Sequence, residues 1–326
     1  MIYIESDSTD PYYNLALEEY VFEDLDKGEE YLILWQNANS IIVGKYQNTA
    51  EEVNQSFVDE HHIRVARRLS GGGAVYHDTG NLNYTLIVDQ KNNPDFNFSL
   101  FVIPVIEALR ELGVKAEFNG RNDLTIEGRK FSGQSQYAKG GRIMHHGCIM
   151  LDSNLENVKD ALRVKAAKFE SKSIKSVRSR VTTINEHAPS PISMETFKKT
   201  LKRHVLSTND GETYTLTPED IAEIKQLARD KYSTWDWNYG RSPACSIRRD
   251  AHFEGGLICV QMNVEYGSVS DIHFSGDFFG NRDLSQLEQS LIGLPLDEHL
   301  KEKLSGLSVE EYIHGMSADL LADLLR

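Results

Sequence analysis

The 326-residue sequence is short of cysteine, of excess positive charge and of long apolar runs, and each shortage removes a class of protein. Cys148, Cys245 and Cys259 form an odd, unpatterned set with no CxxC spacing, and no HxxxH appears. That argues against a disulfide framework or a zinc site and for a reducing compartment, so a cytoplasmic location is expected. No stretch approaches the ~20 apolar residues of a membrane-spanning helix. Met1-Ile2-Tyr3-Ile4-Glu5 has neither the basic start nor the apolar core of a signal peptide, so no membrane partner is expected. The net charge of −14 denies the chain the basic footprint of a nucleic-acid binder. Internal repeats and low-complexity tracts are also absent.

What remains is an ordinary globular composition, 40% hydrophobic and 26% charged, long enough for one large domain and one smaller one. Asp10 and Pro11 open a helical segment whose apolar positions are Leu15, Leu17, Tyr20, Val21 and Phe22. Strand patterns follow at residues 31–35, 40–46, 63–69 and 81–88, then around 124–126, 130–137 and 143–151. Helices are expected at 99–112, 155–164, 193–206 and 218–230. Short turns join the strands in place of regular βαβ alternation, which predicts an α+β, mixed-sheet fold. An irregular stretch from Trp235 to Pro243 marks a boundary, giving domains 1–243 and 244–326. Past it, residues 257–265 and 268–274 alternate around Tyr266-Gly267 as a hairpin. Residues 246–326 hold six Lys/Arg against fourteen Asp/Glu, whereas Lys159 to Arg180 holds eight basic residues and two acids. Such a basic island is either a solvated helix face or a site for a small polyanion.

Three constellations carry chemistry. The first is RRLSGGGAVYHDTGN, residues 67–81, in which consecutive glycines let the backbone approach a ligand and offer amide donors to an anion. It fits neither the P-loop nor the dinucleotide fingerprint; a flexible turn is the plainer reading of three glycines alone. The second is GRND at 120–123 followed by GRKFSGQS at 128–135. On a regular strand Lys130, Ser132 and Gln134 share one face. Asp123 is a metal-ligand candidate or a turn residue. The third is RIMHHGCIMLD at 142–152, where His146 and Cys148 point one way and His145 the other.

In this order and at these distances, RRLSGGGAVYHDTGN, GRNDL, RKFSGQSQY, HHGCIMLD and KSVRSRVTTI, with ILWQNANSIIVGKYQN upstream, resemble the lipoate–protein ligase A family. The resemblance covers nearly the whole chain. It implies a large mixed-sheet catalytic domain of the biotin/lipoate ligase type with a small α+β accessory domain, and an enzyme that activates (R)-lipoate with ATP and Mg²⁺. The lipoyl group would pass from lipoyl-AMP to a lysine of an apo-lipoyl domain, in a 2-oxoacid dehydrogenase E2 subunit or the glycine-cleavage H protein.

By the same resemblance, Lys130 would be the catalytic lysine. Arg68, Gly71, Gly72, Gly73, Ala74, Val75 and Tyr76 would line the acyl-adenylate pocket, supported by His77, Asp78 and Asn81. Asn122 and Asp123 would lie near the nucleotide and its metal, and Ser132, Gly133, His146 and Cys148 would border the pocket. Arg178 and Arg180 would belong to a loop that closes over the adenylate. Cys148 stands where the family commonly has threonine, and Thr183 where it has asparagine. Transferases of the same fold carry the acyl group as a cysteine thioester without ATP, so Cys148 keeps that alternative open. The GRGRxG motif of biotin ligases is missing. A non-catalytic ligand-binding relative is the other class of alternative.

Overall fold

The computed structural model describes residues 1–47, 49–92, 97–162, 180–206, 212–239, 247–265, 268–296 and 299–325. It divides into two compact units: Met1–Ile42, Ala50–Arg67 and Val75–Asn238 make the first, and Val43–Thr49, Arg68–Ala74 and Tyr239–Arg326 the second. The expected boundary at 243/244 lies outside the described residues.

The larger unit contains strands β1 (Ile2–Glu5), β2 (Tyr31–Trp35), β3 (Ser40–Val43), β4 (Arg64–Arg67), β5 (Val75–His77), β6 (Asn81–Asp89), β7 (Glu117–Phe118), β8 (Asp123–Ile126), β9 (Arg129–Lys139) and β10 (Arg142–Met150). Seven of them form one sheet in the order β1-β2-β6-β10-β9-β8-β7. β1 runs parallel to β2, and the other neighbours are antiparallel, so the sheet is mixed as expected. A small sheet, β4-β3-β5, completes this unit. Helices Phe98–Glu111 and Met194–Leu206 cover one face of the large sheet, where Phe101, Val105, Leu109 and Phe197 meet Leu82, Tyr84, Leu124 and Phe131. On the opposite face lies helix Pro11–Glu23, whose Asp10 cap accepts the Tyr12 N–H at 2.9 Å, as the sequence predicts.

The second unit is an antiparallel sheet of β11 (Ile247–Phe253), β12 (Gly256–Glu265) and β13 (Ser268–Gly276). Its core joins Ile258, Val260 and Phe274 to Leu287, Leu300 and Leu321 of the helices that follow. The predicted hairpin is β12 and β13; its turn, 266–267, lies outside the described residues. Four strands were not legible. β1, β5 and β7 are only four, three and two residues long, and β11 buries its side chains only partly and in alternation, with Arg249 on the inner set. Among the described residues no helix is long and apolar enough to cross a membrane.

Candidate active site

Lys130 is placed by an irregularity in strand pairing. Between β8 and β9, Leu124 pairs with Ser132 but Thr125 pairs with Lys130, which leaves Phe131 as the extra residue of a bulge. A bulge reverses the alternation of faces beyond it. Ser132 and Gln134 therefore face the helix-covered core, with Gln134 Nε2 donating to Ser132 Oγ at 2.7 Å. Lys130 turns to the other face, beside Asp123, whose Oδ1 lies 2.7 Å from the ammonium. The shared face expected for Lys130, Ser132 and Gln134 is thus corrected: a regular strand was assumed, and Phe131 fills the core position. A β-carbon on Gly133 would lie 3.0 Å from Lys130 Nζ, so the lysine side chain lies over that glycine.

The backbone on either side is tied down. Lys130 N–H donates to the Arg180 carbonyl at 2.8 Å, and Thr182 N–H donates to the Lys130 carbonyl at 2.9 Å. Asn122 clamps Gln134 in the same manner, its Nδ2 donating to the Gln134 carbonyl at 2.9 Å and its own carbonyl accepting the Gln134 N–H at 2.8 Å. Register continues the row across the sheet: Asp123 pairs with Gly133, Gly133 with Cys148, Cys148 with Asn83, and Asn83 with Trp35. Cys148 is half-buried, its Sγ 3.8 Å from the Gly133 carbonyl.

Beside this row lies a buried polar network. Trp35 Nε1 donates to Thr85 Oγ1 at 3.0 Å, Thr85 donates to Glu18 Oε1, and His146 Nδ1 lies 2.9 Å from the same carboxylate oxygen. His145 points the opposite way, as predicted, and stacks on Phe101 with ring centroids 4.5 Å apart. Burial, and then the neighbouring His146, hold His145 well below its ordinary value of 6.5, so the ring is neutral. Gln136 Nε2 donates to its Nδ1 at 3.1 Å, leaving Nε2 as the donor to Tyr84, which in turn donates to Gln134 at 2.6 Å.

The glycine loop belongs to the second unit as far as Ala74. Arg68 is buried, and its guanidinium donates to Ser70 Oγ and to the carbonyls of Gly71 and Gly73, at 3.1, 2.6 and 2.9 Å. A β-carbon on Gly71 would lie 2.2 Å from the Phe278 carbonyl, and Gly72 has φ of +87°, so neither position admits another residue without movement. Gly72 N–H donates to the Phe278 carbonyl at 3.3 Å. Gly73, by contrast, has room on its Cβ side, with Asp277 4.0 Å away.

Two family models match: lipoyl protein ligase A/B catalytic domain over residues 10–206, and bacterial lipoate protein ligase C-terminus over residues 242–325. The chain belongs to the lipoate–protein ligase family. It is 46% identical to lipoate–protein ligase 1 of Staphylococcus aureus over 93% of both chains. With lipoate-protein ligase LplJ of Bacillus subtilis the identity is 43% over the whole of both. Among solved structures, LipL1 of P. falciparum in complex with lipoate shares the fold at TM-score 0.80 and 24% identity, over 100% of this chain and 98% of that one. The bi-partite lipoate protein ligase of Thermoplasma acidophilum, described with its E2 lipoyl domain, aligns at TM-score 0.66 and 27% identity over 76% and 98%. A lipoate-protein ligase A bound with ATP aligns at TM-score 0.62 and 25% identity over 73% and 97%.

Within this ligase fold, Asp123, Lys130, Gly133, His146 and Cys148 lie on one side of the large sheet and Ser132 on the other, while Asn122, just before β8, holds the Gln134 backbone. Asp78 shapes the turn after β5, accepting the N–H groups of Gly80 and Asn154 at 3.0 and 2.8 Å. Tyr76 and His77 are buried, held by Asn157 at 3.1 Å and Asn37 at 3.2 Å respectively, while Val75 is half-buried. Arg180 reaches Lys130 through its carbonyl; Arg178 lies outside the described residues. Sequence reasoning missed Glu18, Asn83, Thr85 and the structural use of Trp35. Glu18 left a signal, being a charged residue among the apolar positions of its helix.

Proposed function

We propose that this chain activates lipoate as lipoyl-AMP at the expense of ATP and then passes the lipoyl group to a lysine of an acceptor protein. The observation that carries this reading is the Phe131 bulge, which sets the Lys130 ammonium over Gly133 and beside Asp123, on the face opposite the core. Family membership, the ATP-bound relative and the archaeal relative described with its E2 lipoyl domain support it.

In the first half-reaction a lipoate carboxylate oxygen attacks the α-phosphorus and pyrophosphate leaves. Negative charge grows on phosphoryl oxygens, where a fixed ammonium stabilises it without reorganisation. Asp123 orients that ammonium, and the two hydrogen bonds from residues 180–182 fix the backbone that bears it. In the second, the neutral amine of the acceptor lysine attacks the anhydride carbonyl. AMP departs with the bonding pair, the amine loses a proton, and Lys130 steadies the oxyanion without becoming covalently linked. The reading assigns Gly73, Ala74, Val75 and Tyr76 to the adenylate pocket, and Arg68 to holding the glycine loop in shape.

Mg²⁺ is ordinarily held by one or two carboxylates plus substrate phosphates. Asp123 fits that role. Among the described residues no cluster of three or more His, Cys, Asp or Glu forms an all-protein metal site. Bound there, the ion would neutralise phosphate charge. The acceptors assigned are apo-lipoyl domains of E2 subunits or the H protein, met in the cytoplasm. Residues 1–243 are assigned the chemistry and 244–326 an accessory role.

The deciding experiment is transfer of lipoate to a purified apo-lipoyl domain, with and without ATP and Mg²⁺, by the wild type and by Cys148→Ser. Strict ATP dependence with an active Cys148→Ser is expected. Transfer from an acyl donor without ATP, abolished by Cys148→Ser, would make the protein a thioester-forming transferase.

A further inference from the structure

Asn81 and Asn83 lie on one face of β6, and Asn81 Nδ2 donates to Asn83 Oδ1 at 3.0 Å. Both side chains are buried, at 0% and 2% exposure, yet Asn83 Nδ2 and Asn81 Oδ1 have no hydrogen-bond partner. A buried amide group without a partner is costly and uncommon in a folded protein.

The position of this donor suggests what it is for. Asn83 pairs with Cys148 on one side and Trp35 on the other, in the row that reaches Gly133 beneath Lys130. Neighbouring strands are ~4.8 Å apart, so Asn83, two strands from Gly133, lies about 10 Å from the point where Lys130 would hold the carboxyl group. That is the reach of an extended lipoyl chain from carboxyl to ring. Trp35 already gives its indole N–H to Thr85, so Asn83 supplies the donor at this end of the row.

We propose that Asn83 donates its side-chain N–H to a sulfur of the dithiolane ring and so sets the preference for lipoate over octanoate. The proposal rests on the ligase reading above. Divalent sulfur is a weak acceptor but satisfies an otherwise unpartnered amide, whereas octanoate presents only methylene and methyl groups there. Asn83 is then a specificity-determining residue, and it acts at the tail of the substrate, away from the reacting atoms.

The test compares kcat/KM for ATP-dependent transfer of lipoate and of octanoate by the full-length wild type and by Asn83→Leu, a substitution of similar volume without the donor. The lipoate-to-octanoate ratio should fall about fivefold to tenfold, through KM for lipoate, as one hydrogen bond is lost. The ratio is measured within a single preparation, so a reduced active fraction cancels. Should the leucine variant not fold, Asn83→Ala is measured in the same way. Equal losses with both acids, or an unchanged ratio, would overturn the proposal while leaving the ligase reading intact. A wild type that uses neither acid with ATP would overturn that reading itself.

Discussion

The two faces of the large sheet at β9 and β10 are built to opposite rules, although both carry polar residues. On the face under helix Phe98–Glu111, Gln136, His145, Tyr84, Gln134 and Ser132 form a closed chain of neutral hydrogen bonds among apolar neighbours. On the other, Lys130, Asp123, Glu18 and His146 bring titratable groups together, and Asn81 and Asn83 leave a donor and an acceptor over. A closed neutral network fixes a core. A charged, incompletely satisfied one marks where a ligand belongs. One bulge residue, Phe131, decides on which side Lys130 falls.

That contrast can be broken from either side. Glu18→Ala should have the largest effect: it strips the acceptor from Thr85 and His146 and should cost about 3 kcal/mol, read as a lowered urea midpoint. Tyr84→Phe interrupts the core-face chain between His145 and Gln134 and should cost about 1–2 kcal/mol while activity per folded molecule is retained. The pH dependence of stability sharpens the same comparison. Because His145 is held well below 6.5 in the folded state, the unfolded chain takes up its proton first. Stability from this residue is complete above about pH 6.5 and declines as pH falls below it, by up to ~1.4 kcal/mol per pH unit. Urea melts from pH 7.5 to 5.5 should show that slope, and His145→Asn should flatten it. Cys148→Ser should change least, with transfer rates within about threefold of wild type, because thiol and hydroxyl are similar in size.

Much of the layout was legible in the sequence. The helix cap at Asp10, strands β2, β6 and β10 and the opposed histidines follow from local pattern, which the long-range strand pairings leave in place. The bulge was not, since Phe131 between Lys130 and Ser132 reads as one more alternating position until β8 sets the register. Arg68 and Gly71 illustrate the same limit. Their text marks an anion loop, but Ser70, two loop carbonyls and Phe278 take up the donors and space that the sequence alone would leave to a ligand. Asn83 escaped notice because a lone asparagine in a strand gains meaning only from Cys148 and Trp35 on either side of it.

The most direct test of Lys130 as an electrostatic catalyst is the single-turnover rate of lipoyl-AMP formation by Lys130→Ala, with its melting temperature recorded alongside. The rate should fall by roughly 10²-fold or more, by analogy with loss of one oxyanion donor, while the melting temperature holds, since the ammonium is partly exposed with one short ion pair to Asp123. Lipoyl-AMP formed at the wild-type rate would show that the lysine set apart by the bulge does not stabilise the transition state.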